Sequence, residues 1–288
     1  MGSHHARVFA RCEGTRVVGV FDTNPVAAAR VAATVDAQAF ASVENVFADS
    51  DLVVVATPID THRSIALRAL LAGCAVLVEK PLCASSVDAH ALVAAADRAQ
   101  RRLFVGHSER FNPVTAALFE ALRGDRVLEA ELWRLAPHRG RALDHGVCIN
   151  LAVHDVDLAA MLFGAPTALV RAEGHDGAAM LHLACKDGRV ATVHASQVAA
   201  ERVRKVRVVS ERHVYLGDLV RGTLLRDGAP LPVAGDEALL AQARSVLSAL
   251  AGRDMRCASG VDGASAVALV EEAARWLERP SRVSVISP

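Results

Sequence analysis

Two continuous apolar runs, Leu52–Thr57 (LVVVAT) and Ala75–Glu79 (AVLVE), constrain the fold of this chain more than any other feature. A run without polar alternation marks a strand buried on both faces, as in a parallel sheet covered by helices. Around them lie helical segments at Val26–Thr34, Val43–Phe47, His62–Ala72 (closing at Gly73) and Ser86–Gln100. Arg16–Asp22 and Leu103–Gly106 read as further strands. Strand and helix thus alternate over the first hundred residues, the pattern of βαβ units in a doubly wound parallel sheet.

Beyond Pro113 the pattern changes. A helix at Val114–Leu122 precedes an alternating strand, Val127–Leu135, then a loop rich in Arg and His, then a helix from about Cys148 to Leu162. Strand-like segments follow at Ala168–Gly174, Ala179–Lys186, Arg189–Ser196, Lys205–Ser210 and His213–Asp218. Asp187-Gly188 sits between two of them as a hairpin signal. Helices at Asp236–Leu250 and Gly263–Glu278 end the series. We therefore expect an α/β unit over residues 1–106 and, over 107–288, an α+β unit with a mainly antiparallel open sheet. Two units suit a length of 288 residues.

Composition excludes several partners. The 32 basic and 32 acidic residues give a formal charge of +0, which removes the footprint of a nucleic-acid or anionic-membrane binder. Apolar runs fall far short of the ~20 residues of a membrane span, and no secretion signal is evident. The six cysteines form no C-x-x-C pair and the twelve histidines show no H-E-x-x-H spacing, so neither a disulfide framework nor a metal site is expected. The expectation is a soluble cytoplasmic protein.

Lysine occurs at three positions only, 80, 186 and 205, so arginine takes 29 of the 32 basic places. In such a chain a lysine hints that a compact, deprotonatable ammonium is wanted. Lys80 lies in Glu79-Lys80-Pro81, directly after a buried strand, where open α/β sheets bind ligands. A cis bond at Pro81 would fix the direction of the lysine side chain. Asp22 ends an earlier strand, where an acid accepts hydrogen bonds from the ribose of a dinucleotide; it could equally cap the helix after Thr23-Asn24-Pro25. Asn150, His154 and Asp157 are spaced i, i+4, i+7 on a helix, placing three polar groups on one face. A polar face on an apolar helix is costly unless it is used, and three groups in register point to an active site.

Together, Gly2-x-x-His5-Ala6, Ala56-Thr57-Pro58 with His62, Glu79-Lys80-Pro81, Gly106-His107 through Arg110-Phe111-Asn112-Pro113, and the His154–Asp157 helix resemble the Gfo/Idh/MocA oxidoreductases over essentially the whole chain. The resemblance implies a Rossmann domain binding NAD(P), followed by an α+β domain whose open sheet supports a homodimer or homotetramer. It also implies a sugar, polyol or nucleotide-sugar substrate. The stretch from Gly106 to Pro113 looks most like nucleotide-sugar dehydrogenases of the UDP-N-acetylglucosamine type. By resemblance Gly2, His5, Asp22, Thr57, Pro58, His62, Glu79, Lys80 and Pro81 face the cofactor. His154 is the general base, with Lys80 on the same substrate oxygen and Asn150 positioning the imidazole. His107, Arg110, Arg139 and Asp157 are substrate-side groups.

Two departures stand out. Family members begin with a strand and G-x-G-x-x-G, of which Gly2 matches only the last glycine. Without the first strand, Arg16–Asp22 and Leu52–Thr57 lack their shared neighbour, and the chain as written is expected to bind NAD weakly. A misassigned start or a shortened chain accounts for this better than a working enzyme without the strand. At 150 the chain has Asn where most members have Asp, so the residue can orient His154 but brings no charge. Asp22 favours NAD over NADP. The alternatives are a non-catalytic or cofactor-free binding protein on this fold, and an imine or biliverdin-type reductase. The Lys–His set argues against the latter.

Overall fold

The computed structural model describes residues 1–137, 145–253 and 256–278. The first half comprises α1 (Gly2–Ala10), β1 (Gly19–Val20), α2 (Pro25–Thr34), β2 (Gln38–Ala39), α3 (Val43–Asp49), β3 (Leu52–Val55), α4 (Ile59–Leu71), β4 (Ala75–Val78), α5 (Ser86–Ala99) and β5 (Leu103–Val105). Then come α6 (Pro113–Ala121), β6 (Val127–Pro137), α7 (Val153–Phe163), β7 (Ala168–His175), β8 (Ala178–Ala184), β9 (Val190–Ala199), β10 (Val203–Ser210), β11 (Val214–Asp218), β12 (Thr223–Arg226) and β13 (Ala229–Leu231). The last elements are α8 (Ala238–Leu250), β14 (Ala258–Ser259) and α9 (Gly260–Leu277).

Three helices in the first half start where a side-chain oxygen accepts from their free N–H groups. Asn24 caps α2, with Pro25 in the first turn, while Ser42 caps α3 and Ser85 caps α5. The two apolar runs become β3 and β4, which pair in parallel, and β4 pairs in parallel with β5. Every residue of β4 is buried. Val76 and Val78 pack under α4 and α5, and Leu77 packs on the other face with α1 and α8. Burying such side chains contributes about 1.5–3 kcal/mol each. Gly106, just past β5, lets the chain pass close to β4. A Cβ there would sit 3.1 Å from the Glu79 Cα.

The expected strand at 16–22 is shorter than its sequence suggests. Only Gly19 and Val20 pair, and only with β2. The parallel strands therefore form two groups, β1–β2 and β3–β4–β5 (the latter extended by antiparallel β14), with no strand joining them among the described residues. A β-branched run without a neighbour on its second edge has no ladder to extend it, so Phe21 and Asp22 leave the strand exposed.

In the second half eight strands make one sheet in the order β13-β12-β11-β10-β6-β9-β8-β7, antiparallel except at β6–β9. Asp187-Gly188 turns between β8 and β9 as expected. The β12–β13 hairpin, turning at Asp227-Gly228, was not anticipated. Helices α6, α7 and α9 cover one face, where Leu118, Val153, Val156 and Val270 meet Leu132, Leu181, Val193 and Val208. On the other face Trp133 stacks on His194 at 5.3 Å between ring centres. The expected second unit does not stay apart from the first: β14 pairs antiparallel with β5, and α9 packs on both α5 and β7. Catalytic candidates from the two halves are thereby held against each other.

Candidate active site

Chain direction places Glu79-Lys80-Pro81 at the carboxyl end of β4, and the Lys80–Pro81 peptide is cis. The Lys80 ammonium crosses to the second half and donates to the Asn150 carbonyl at 3.0 Å. Asn150 lies in a π-helical turn, Cys148–Ala152, that leads into α7. Such turns have carbonyls out of α-helical register and recur at functional sites. This corrects the role expected for Asn150. The i, i+4 spacing to His154 assumed a continuous α-helix, and no hydrogen bond joins the two side chains. The Asn150 Nδ2 is buried without a partner, and the contact to Lys80 runs through the backbone.

Beneath Lys80, the Glu79 carboxylate lies 2.6 Å from the His5 Nε2. Burial alone would raise the Glu79 carboxyl, but the His5 bond and the Lys80 charge outweigh it and hold it below its ordinary value. Burial lowers Lys80 to about 8; Glu79 opposes this, and Arg134 and Arg204 add to it. The His154 ring is surrounded by protein but keeps some accessible surface. Burial first, then the nearby Lys80 and Arg134 charges, drive it well below 6.5, so it is a neutral imidazole at neutral pH. His107 approaches it edge-on at 6.5 Å and is likewise lowered by burial, against the pull of Asp157. His154 Nδ1 and both His107 nitrogens are buried without a hydrogen-bond partner, the His107 Nδ1 lying 3.8 Å from an Asp157 oxygen. Buried polar atoms without partners cost about 1–3 kcal/mol each, so a cluster of them marks a place where a ligand completes the bonding.

The neighbouring carboxylates are each held by arginine. Arg110 clasps Asp157 through two bonds of 2.8 and 2.6 Å. Both were expected on the substrate side; here each satisfies the other, and Asp157 is buried. Arg134 on β6 clasps Asp155 at 2.7 and 3.0 Å and reaches Glu109 at 3.2 Å, while Arg204 on β10 holds the same Glu109 oxygen at 2.5 Å. Glu109, Arg134 and Arg204 carry no local signal in the sequence. Arg134 and Arg204 face each other across the β6–β10 ladder, a pairing that only tertiary register reveals.

Toward the cofactor side, the His62 ring nitrogens lie 2.9 Å from the carbonyl oxygens of Thr57 and Pro81, tying the exposed Thr57-Pro58 loop to the Pro81 turn. Asp22 is exposed beyond β1 and accepts from the Asn24 N–H at 2.8 Å; Asn24, not Asp22, caps α2. Gly2 opens α1 with open space where a Cβ would stand. Arg139 lies outside the described residues. The exposed acid at the end of β1, the open Thr57-Pro58 turn and the unpartnered polar atoms past β4 fit a dinucleotide along the carboxyl ends of the strands.

Comparison with known proteins accords with this geometry. Residues 1–107 match the oxidoreductase family with an NAD-binding Rossmann fold, and residues 117–215 match the GFO/IDH/MocA C-terminal domain. The chain is 34% identical over 285 residues to UDP-N-acetylglucosamine 3-dehydrogenase of Acidithiobacillus ferrooxidans, covering 91% of this chain and 90% of that protein. The chain belongs to the Gfo/Idh/MocA oxidoreductase family. A solved structure of that dehydrogenase superposes with a TM-score of 0.89 at 32% identity, covering 96% of this chain and 94% of that one. Inositol 2-dehydrogenase of Rhizobium meliloti is 30% identical over 178 residues, 57% of this chain and 52% of that enzyme. As a family member the chain is an oxidoreductase with an NAD-binding Rossmann domain and a mainly antiparallel C-terminal sheet. No helix among the described residues is long and apolar enough to cross a membrane.

Proposed function

We propose that Lys80 and His154 carry out NAD-linked oxidation of a secondary hydroxyl on a sugar, polyol or nucleotide-linked sugar, or the reverse reduction. The observation that carries this reading is the convergence past β4 of the Lys80 ammonium, 3.0 Å from the Asn150 carbonyl in the turn leading into α7, with the His154 imidazole on that helix, whose Nδ1 is buried without a hydrogen-bond partner. Burial and nearby charge favour a neutral imidazole there. Bound NAD supplies the acceptor for the hydride leaving the carbinol carbon. His154 takes the hydroxyl proton as the C=O bond forms. Lys80 donates to the same oxygen and stabilises its developing negative charge. Glu79, held by His5, keeps the ammonium charged below about pH 8. Asp22 would hold a ribose hydroxyl and, by its charge, disfavour a 2′-phosphate. The similarity to UDP-N-acetylglucosamine 3-dehydrogenase supports a nucleotide-linked sugar as the first substrate to test. The exposed sheet face bearing Trp133, His194 and Leu216 supports association of two or four copies, and the buried cysteines suit the reducing cytoplasm.

The test is His154→Ala, assayed by NAD reduction and by NAD titration. A general base contributes about 10²–10⁴-fold, so kcat falls by that factor while NAD affinity holds. A variant that retains wild-type kcat removes the imidazole from the reaction.

A further inference from the structure

We propose that Arg204 is a substrate-binding residue that holds an anionic group, a carboxylate or phosphate oxygen, beside the reacting hydroxyl. This rests on the reading of Lys80 and His154 given above. Arg204 stands directly opposite Arg134 in the β10–β6 ladder, so both side chains leave the sheet on the same side, the side of α7. The two guanidinium groups differ in what they have left to give. Arg134 is almost wholly buried and is engaged through Nε, Nη1 and Nη2 by Asp155 and Glu109. Arg204 touches Glu109 through Nη1 alone, keeps 30% of its side-chain surface accessible, and makes no other hydrogen bond among the described residues. Glu109 is shared between two cations, and Asp155 is already closed by Arg134. The guanidinium of Arg204 is thus positioned by one carboxylate while its other N–H groups remain open.

Its location is the second half of the argument. The charge of Arg204 bears on both Lys80 and His154, pressing each toward its neutral form. A positive charge that the protein leaves incompletely met, so close to a lysine and an unpartnered imidazole, weakens the protonated forms of both unless a ligand brings an anion. A planar guanidinium with a free edge suits a carboxylate or phosphate, because two parallel N–H···O bonds can form. A neutral polyol has no group that uses this edge as well. The substrate class assigned here is therefore an acidic sugar or a sugar linked to a diphosphate.

Calorimetric titration of the full chain and of Arg204→Gln with UDP-N-acetylglucosamine, UDP, glucuronate and myo-inositol tests this. The wild type should bind at least one anionic ligand about tenfold or more tightly than Arg204→Gln, with inositol affinity the same in both. Arg204→Lys should fall between them, and matched thermal midpoints show that the fold is intact. An effect on UDP assigns the diphosphate; an effect on glucuronate alone assigns a ring carboxylate. Equal affinity of wild type and Arg204→Gln for every anionic ligand, or no anionic binding at all, overturns the proposal. Turnover measured in parallel separates the two readings. Hydride transfer that is indifferent to Arg204 sinks only this inference, whereas Arg204-dependent binding without hydride transfer sinks the oxidoreductase assignment of Lys80 and His154.

Discussion

Helix α7 carries two kinds of buried polar residue within four positions. Asp155 and Asp157 are each clasped by an arginine, whereas His154, just before them, has a nitrogen without a hydrogen-bond partner and faces His107, whose ring nitrogens also lack one. A charge removed from water survives in a fold only when it is met, so the two aspartates read as fixtures that seat the helix on β6 and on the short 3-10 turn Ser108–Phe111. The imidazoles are neutral and left open, which the fold tolerates at a cost that a ligand would relieve. Stability and chemistry are thus assigned to neighbouring residues of one helix turn.

The largest expected effect tests the fixtures. Arg134→Met leaves Asp155 buried without its cation and should lower unfolding stability by about 3–5 kcal/mol, read by urea titration. His107→Leu, which removes two unpartnered nitrogens from an equally buried position, should leave stability unchanged or raise it by about 1 kcal/mol. If both variants lose several kcal/mol, the contrast between paired and open groups is broken.

Next in size is the lysine. Lys80→Met should reduce kcat by about 10²–10³-fold, as loss of a transition-state donor does, with little change in thermal midpoint. Lys80→Arg should fail similarly, because a guanidinium neither fits nor titrates like the ammonium. An active arginine variant would show that only a positive charge is needed.

A smaller effect belongs to Asp22. Asp22→Asn should narrow the preference for NAD over NADP by about tenfold in competitive titrations, because the like-charge contact with a 2′-phosphate is gone. An unchanged ratio would limit Asp22 to its bond with the Asn24 N–H. Smallest is the acid side of the stability profile. His107 and His154 are held neutral in the fold and protonate more readily when unfolded, so the unfolded chain binds more protons below pH 6.5. Stability should therefore fall as pH drops below about 6.5 and recover above it. A midpoint independent of pH across that window would mean that neither imidazole is shielded.

Much of this was legible in the sequence. The runs at 52–57 and 75–79 declare a buried parallel sheet because no polar residue interrupts their apolar stretch, and the scarcity of lysine together with its place after a buried strand singles out Lys80. Three features were hidden. Strand 16–22 has β propensity along its length, but pairing depends on neighbours, and it retains only two paired residues. The π-turn at 148–152 looks like helix in composition, so the expected Asn150–His154 contact followed from the wrong periodicity. The Glu109–Arg134–Arg204 cluster depends on the β6–β10 register, which joins residues 70 positions apart and leaves no local pattern.

The pH dependence of kcat/KM for the wild type and Lys80→Met bears most directly on the claim that a charged lysine and a neutral histidine act together. The profile should rise to a plateau by about pH 6.5 as His154 loses its proton, then fall with a midpoint near 8 as Lys80 loses its own. In Lys80→Met the residual activity should lack the upper limb. A wild-type profile that stays level from about pH 7 to 10, or an upper limb that survives in Lys80→Met, would contradict the account.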